Sequence, residues 1–280
     1  MQKFFCGGPL KSGTTFLQRV LDSHPEICCQ PENNLNDLFV DLMEVYGRHN
    51  RRIDFTASIL GVQPFLSQTD AFAEGFFKII DEFFKIGLKK KKICGINDNH
   101  FINHNADSIH QHFDNVKIIY IIRNPFDTAL SYWDHNHKIA IKMKDNRYLS
   151  NLTTDGKTLD KNLFLKNYSI QWSELVQVLL SSAKKYTSTI MIVKYEDLVC
   201  EKKETLSKIF NFLGASSEDK ILEKIIHESS LDFMKKNSTN PNFYQRGRIN
   251  FGKNEISDEI FRYILDKTKT NFDLLNYRIN

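Results

Sequence analysis

The chain has 280 residues, and its 38 lysines and arginines against 34 aspartates and glutamates give a formal net charge of +4. A charge this small and this dispersed argues against a nucleic-acid-binding protein and suits a small anionic ligand. At this length, with 41% hydrophobic residues, one large domain can bury a substantial core.

The five cysteines are odd in number and lack the paired C-x-x-C spacing of zinc sites. This pattern predicts a reduced protein with neither a disulfide framework nor a bound metal. The longest strongly apolar run, Ile118 to Ile122, is too short to cross a bilayer. Only two residues precede the first predicted strand, so we expect neither a signal peptide nor a membrane anchor, and a cytoplasmic location.

The first predicted strand leads into a loop rich in glycine and hydroxyl groups, Gly7-Gly8-Pro9-Leu10-Lys11-Ser12-Gly13-Thr14-Thr15. The glycines let backbone N–H groups approach an anion, and the helix predicted at 16–23 points its positive end at the same place. The frame from Gly8 to Gly13 matches a Walker A loop, but Thr14 stands where the Walker lysine belongs, and the lysine is Lys11. We therefore predict an anion-binding loop that differs from a Mg-ATP site.

Predicted helices and strands alternate along the rest of the chain. Apolar periodicity predicts further helices at 34–46, 72–88, 106–113, 125–137, 162–183, 202–213, 221–228 and 256–271. Strands are predicted at 26–30, 93–96, 116–122 and 189–194. The polar stretch 142–161 lacks periodicity and is predicted to be a mobile loop.

This alternation predicts an α/β fold, in which a doubly wound parallel sheet is flanked by helices in the three-layer architecture of P-loop nucleotide kinases. The run 116–122 is almost continuously β-branched, which is typical of a central strand buried on both faces. The chain contains no repeat and no obvious linker. We predict a single domain over residues 1–280.

A second polar group ends one of the predicted strands. In open α/β sheets, ligands bind where the carboxyl ends of the strands meet, and Arg123 follows the strand 116–122 directly. Ser131 lies eight residues later, two helical turns along, on the face that looks back toward the strand. An arginine and a hydroxyl so placed can share a second phosphate, although Arg123 could instead pair with a structural aspartate.

With these two motifs, the chain resembles the sulfotransferase superfamily, which uses 3′-phosphoadenosine 5′-phosphosulfate (PAPS). The loop that holds the 5′-phosphosulfate in that family is similar to Lys11-Ser12-Gly13-Thr14-Thr15. The segment from Arg123 to Ser131 is similar to the family's 3′-phosphate element and keeps its spacing.

Three segments extend the resemblance into the carboxyl-terminal half. Tyr195, within 194–198, corresponds to the tyrosine that reaches the adenine. The segment 229–235 resembles the stretch that packs on the nucleoside, and 245–254 resembles the loop that closes over the 3′-phosphate. In these last two segments the resemblance implies contacts from Ser229, Leu231, Met234, Arg246 and Gly247.

The chain departs from the family's pattern at three of these positions. The family often has an aromatic residue where Leu231 stands and a tryptophan where Gly252 stands. Its Arg-Lys-Gly triplet begins here with Gln245. We therefore expect weaker stacking on the adenine, and the contacts of Leu231 and Gln245 stay open.

The resemblance implies an enzyme that moves a sulfuryl group from PAPS to an acceptor hydroxyl or amine, without a metal, and releases adenosine 3′,5′-bisphosphate (PAP). Lys11 would stabilise the charge that develops on the leaving group. The acceptor needs a general base, and the candidates stay open. Glu32 matches the catalytic glutamate of protein-tyrosine and carbohydrate members, whereas His100 lies about one residue from the catalytic histidine of small-molecule members. Asp98 is a third candidate.

The acceptor is less well defined by the sequence. Residues 33–92 and 142–161 are expected to be insertions that frame its pocket, and the Glu32 match favours a carbohydrate or glycoconjugate among small-molecule and glycan acceptors. Two other functions stay open: a P-loop nucleoside or nucleotide kinase, and a non-catalytic nucleotide-binding protein. The remaining histidines in polar surroundings are expected at the surface: His104, His110, His112, His135 and His137.

Overall fold

In the computed structural model, the described residues are 2–62, 69–143, 152–153, 158–237 and 249–277. Within them one sheet is formed by β1 (Gln2–Gly7), β2 (Ile27–Gln30), β3 (Ile93–Asn97), β4 (Lys117–Ile122) and β5 (Ile190–Lys194). The strand order is β2-β3-β1-β4-β5, and every pair of neighbours is parallel. The predicted parallel α/β sheet is confirmed.

The helices of the described residues surround this sheet. They are α1 (Thr14–Asp22), α2 (Leu35–Leu60), α3 (Thr69–Leu88), α4 (Asn99–His104), α5 (Ala106–His112), α6 (Pro125–Met143), α7 (Lys161–Lys185), α8 (Tyr195–Cys200), α9 (Lys202–Leu213), α10 (Asp219–Glu228), α11 (Leu231–Lys236), α12 (Gly252–Glu255) and α13 (Asp258–Leu274). The short helices α4, α8, α11 and α12 are absent from the sequence-based prediction, because four to six residues are too few to show a period of 3.6.

Helix α2 is longer than predicted. It continues past Tyr46 to Leu60 and ends where Gly61 adopts a left-handed conformation, with φ of 67°. The Gly61 N–H donates to the Ala57 carbonyl, as in common helix terminations. Beyond residue 46, the buried positions are Asn50 and Ala57. This half of the helix therefore lacks the apolar stripe from which a helix is predicted.

Alternate residues of the strands face two separate cores. Phe5 and Tyr120 pack in the larger core with α3, α5, α6, α7 and α13. Phe4 and Ile121 pack in the other core with α1, α9 and α10. Because successive side chains of a strand point to opposite faces, this division places helices on both sides of the sheet. The three-layer architecture is therefore also confirmed.

The predicted loop at 142–161 is wrong at both ends. Lys142 and Met143 belong to α6, and α7 begins at Lys161. Between them, Thr153 and Leu159 form an antiparallel bridge, and the Asp160 N–H donates to the Leu152 carbonyl over 2.8 Å. The rest of that prediction falls on 144–151 and 154–157, outside the described residues.

The cysteines are free thiols, of which Cys200 is exposed and the other four are buried. Among the described residues, no helix combines the length and the apolar character needed to cross a bilayer. The single-domain boundaries and the cytoplasmic location stay predictions.

Candidate active site

Each of the five strands is followed, at its carboxyl end, by a residue or loop that could bind a ligand or take part in catalysis. β1 runs into the glycine-rich loop, and β2 is followed two residues later by Glu32. β3 leads to Asp98 and α4, while Arg123 directly follows β4 and Tyr195 directly follows β5. Because the strands are parallel, these groups share one edge of the sheet, which is where open α/β folds bind ligands.

The glycine-rich loop forms a cradle suited to an anion. Gly13 is the N-cap of α1 and has a φ of 99°, which favours glycine; a Cβ there would lie 2.5 Å from the Tyr195 ring. The Ser12 side chain is fully buried, yet its hydroxyl has no hydrogen-bond partner within the described part of the chain. The first N–H groups of α1 lack partners within the helix and point into the loop. Phosphate oxygens would satisfy both kinds of donor.

Lys11 lies in this loop with a left-handed backbone, at a φ of 67°. Burial lowers the pKa of its ammonium to about 8, while the nearby Glu32 carboxylate opposes that shift. The pKa of His135 falls to about 4, because it is partly buried and because Lys11 and Lys138 are close. His135 is thus a neutral, half-buried imidazole near Lys11; of the other histidines predicted at the surface, His110, His112 and His137 are also half-buried and His104 is exposed.

Glu32 is connected to the loop through an asparagine. The Asn99 side-chain amide donates to Glu32 Oε1 over 3.2 Å and lies 3.3 Å from Thr14 Oγ1. The structure therefore brings together Lys11, Thr14 and Glu32, which the sequence analysis placed in one site. Asn99 was missed, since a single asparagine at the start of a short helix carries no signal in the sequence.

His100 does not join this group. It is the second residue of α4, with an exposed side chain that makes no hydrogen bond within the described residues. Asp98 has a structural position instead: its buried carboxylate accepts from the Phe101 N–H over 2.9 Å and from the Leu35 N–H over 2.6 Å. Both of its oxygens are thus used to cap α4 and α2.

Arg123 is held rigidly at the end of β4. Its guanidinium carbon lies 4.5 Å from the centroid of the Tyr195 ring and 5.4 Å from that of Phe251. Its Nη2 forms an ion pair with Asp127 over 3.3 Å, and its carbonyl accepts from the Trp172 indole N–H over 3.1 Å. Aromatic faces and a carboxylate leave a buried cation well oriented for a phosphate.

Asp127 also fixes the carboxyl-terminal chain beside Arg123. Its oxygens accept from the backbone N–H groups of Asn250, over 2.9 Å, and Gly252, over 2.8 Å. A Cβ at Gly252 would lie only 2.6 Å from the backbone of Phe126, which explains a glycine where the family often has tryptophan. Arg246 and Gly247 fall outside the described residues, so their predicted contacts stay untested.

The predicted nucleoside contacts lie in the neighbouring helices. Ser229 and Met234 are buried, at the end of α10 and in α11, whereas the Leu231 side chain is outside the described atoms. Lys202 was missed by sequence reasoning. Its ammonium lies 3.5 Å from the Ser229 hydroxyl and 5.5 Å from the Phe16 ring centroid, and burial lowers its pKa. Ser131 is half-buried on α6.

No three His, Cys, Asp or Glu side chains in the described ranges are arranged to hold a metal ion. Metal independence itself stays a prediction.

The comparisons with known proteins agree with this geometry. The family model described as Sulfotransferase domain matches residues 2–272. Protein-tyrosine sulfotransferase 2 of Gallus gallus is 25% identical over 230 residues, covering 79% of this chain and 53% of that protein. The 3-alpha-hydroxysteroid sulfotransferase of Cavia porcellus is 30% identical over 125 residues, 43% of this chain and 39% of that protein. The chain thus spans about half, or less, of these two relatives.

Solved structures share the fold at low sequence identity. Mouse sulfotransferase SULT7A1 complexed with PAP has a TM-score of 0.62 and 19% identity, with 99% of this chain and 87% of that chain covered. The sulfotransferase domain from the curacin biosynthetic pathway has a TM-score of 0.58 and 16% identity, covering 100% and 98% of the two chains.

The capping role of Asp98 can be tested by stability. Asp98→Ala removes the acceptor for two backbone N–H groups, so we expect the free energy of unfolding to fall by about 2–3 kcal/mol. Asp160→Ala is the matched control: within the described ranges the Asp160 carboxylate accepts from one backbone N–H, that of Leu163 in capping α7, and about 1 kcal/mol is expected. Urea denaturation measures both, and equal losses would contradict the double cap.

Proposed function

Since the chain belongs to the sulfotransferase domain family, we propose that it transfers a sulfuryl group from PAPS to an acceptor hydroxyl or amine. The observation that carries the proposal is the meeting of Lys11, Thr14, Glu32 and Arg123 at the carboxyl edge of the sheet. A nucleotide kinase is disfavoured because Thr14 occupies the Walker lysine position. A purely nucleotide-binding protein has no need of a carboxylate held beside Lys11.

The donor would be held at two anionic ends. Residues Ser12 to Thr15 and the N-terminus of α1 would hold the 5′-phosphosulfate, in the cradle with the unpartnered Ser12 hydroxyl. Arg123, Ser131, Arg246 and Gly247 would hold the 3′-phosphate. The nucleoside would contact Tyr195, Ser229, Leu231 and Met234. When bound, the donor supplies the sulfuryl group and a bisphosphate leaving group.

Two side chains would perform the chemistry. Lys11 would stabilise the negative charge that grows on the leaving phosphate, and its burial strengthens that interaction because little water screens it. Glu32 would accept the proton of the attacking group. The electrostatic attraction between Lys11 and Glu32 supports a reaction that takes place between them. His100 makes no contact with this arrangement in the described residues, whereas Glu32 is joined to it through Asn99, so Glu32 is the base that we propose.

The acceptor would enter beside the phosphate loop. A cavity of about 330 Å³ lies between α6, α7 and residues 152, 153 and 160, with Asn167, Gln171 and Asp160 among its polar lining and Phe164 as an apolar wall. It reaches the loop through Tyr168, whose hydroxyl donates to the Leu10 carbonyl over 2.8 Å.

The cavity combines the amide and carboxylate groups with the rings of Tyr132, Phe164 and Tyr168, and polar groups beside aromatic rings suit a polyhydroxylated ring better than a steroid. A carbohydrate or glycoconjugate is therefore the acceptor that we propose, with a protein tyrosine as the second candidate because the Gallus gallus relative is named for that activity.

Substitution of the two candidate bases tests the mechanism. With saturating PAPS and a panel of glycan, tyrosine-peptide and phenolic acceptors, Glu32→Gln should lower kcat by about 100-fold or more, as expected for loss of a general base. His100→Gln is the matched control and should change kcat far less. Affinity for PAP should be similar in both variants. If His100→Gln alone abolished turnover, Glu32 would not be the base.

The pH dependence tests Lys11. Its pKa of about 8 means that the ammonium is charged below that pH and neutral above it. We expect kcat/KM for PAPS to fall about tenfold per pH unit above this value, since the cation is needed. The fall in kcat should begin at a higher pH than the fall in kcat/KM, because the bound donor anion raises the pKa of the Lys11 ammonium.

His135, with a pKa of about 4, stays neutral across this pH range, so it does not contribute to the fall in kcat/KM above pH 8, the basic limb of the profile. Lys11→Arg should remove the basic limb, because arginine keeps its charge. A wild-type profile that stays flat well above pH 8 would contradict the role of Lys11.

A further inference from the structure

Asn99 joins the proposed base to the phosphate loop. It is the first residue of α4, only 4% exposed, and its amide nitrogen contacts both Glu32 Oε1, at 3.2 Å, and Thr14 Oγ1, at 3.3 Å. Glu32 itself lies in a segment without helix or strand, between Gln30 and Leu35, and its side chain is exposed. The amide of Asn99 is therefore a rigid, buried support for a carboxylate on an irregular segment.

The chemistry of the contact defines the orientation of the amide. An ionised carboxylate only accepts hydrogen bonds, so the NH₂ side of Asn99 must face Glu32. The same NH₂ group then donates to the Thr14 hydroxyl oxygen, which leaves the Thr14 O–H free to donate elsewhere. The Asn99 Oδ1 is buried and has no partner in the described part of the chain. The orientation of the amide is therefore decided by the contacts of its nitrogen with Glu32 and Thr14.

We infer that Asn99 is a positioning residue, which holds Glu32 toward Lys11 and turns the Thr14 hydroxyl toward the donor anion. One carboxylate oxygen, Oε1, is held by the amide, and Oε2 faces the acceptor's proton. A single side chain thus aligns the base with the donor-binding loop. This inference rests on the proposed transfer reaction, since it concerns the base of that reaction.

Asn103 provides an internal control. It lies one turn later on α4, is also buried, and donates from its amide to the Gly8 carbonyl over 3.0 Å. It therefore supports the same loop from the same helix without touching Glu32. If α4 only braced the loop, the two asparagines would have the same effect on the reaction.

A double-mutant cycle on the full chain separates these roles. We would measure kcat with saturating PAPS and acceptor, and PAP affinity by calorimetry, for Asn99→Ala, Glu32→Gln and the double variant. Asn99→Ala should lower kcat about 10–100-fold, in line with residues that orient a reacting group, and should affect PAP affinity much less. In the Glu32→Gln background it should add little, because both changes remove one function. Asn103→Ala should weaken PAP binding. Any loss of kcat that it causes should be the same in the Glu32→Gln background as in the wild type.

A second variant guards against a packing effect. Asn99→Asp keeps the volume but cannot donate to a carboxylate, so it should lose at least as much kcat as Asn99→Ala while melting near the wild-type temperature. Equal losses from Asn99→Ala in both backgrounds, or an Asn99→Asp variant with wild-type kcat, would overturn the inference. Wild-type protein that binds PAP but transfers no sulfuryl group, or binds no PAP, would instead count against the proposed function.

Discussion

The site depends on the parallel pairing of five strands whose carboxyl ends lie at one edge. Backbone hydrogen bonds fix neighbouring strands about 4.8 Å apart, so the first residues beyond each strand are placed before any side chain contributes. β1 is central, with β3 and β4 on its two sides. The glycine-rich loop is consequently flanked by Asn99 on one side and Arg123 on the other. The separation of base, lysine and arginine follows from strand order.

This edge concentrates positive charge at a cost in solvation. Arg123 is buried and Lys11 is half-buried, so both cations have lost part of their hydration. The two cations are compensated differently: Arg123 by an ion pair with Asp127 and by two aromatic rings, and Lys11, among the described residues, by the electrostatic attraction of Glu32. Burial lowers the pKa of Lys11, and the attraction of Glu32 offsets that shift only in part. A bound anion would supply the missing charge, so ligand affinity and the protonation of Lys11 are linked.

What the sequence could predict was local. The glycine-rich loop, the β-branched strands and Arg123 are each visible within about fifteen residues, and the sheet and three layers follow from their alternation. The prediction of Glu32 as a candidate base depended on the resemblance to a family rather than on periodicity. The contacts that organise the site were not predictable, because they join distant segments: Asn99 and Glu32 are 67 residues apart, and Asp127 and Gly252 are 125 apart. His135 was assigned to the surface because its polar neighbours in sequence hide its proximity to Lys11.

The most direct test of the account is a calorimetric titration with PAP, with and without magnesium, beside the same titrations with ATP. The account predicts that PAP binds equally well in both conditions, and that saturation at 100 times its Kd adds about 2.7 kcal/mol to the stability of the protein. ATP should bind weakly, with or without magnesium, because the Walker lysine is absent from the loop. Magnesium-dependent binding of ATP together with no binding of PAP would contradict the account and favour a nucleotide kinase.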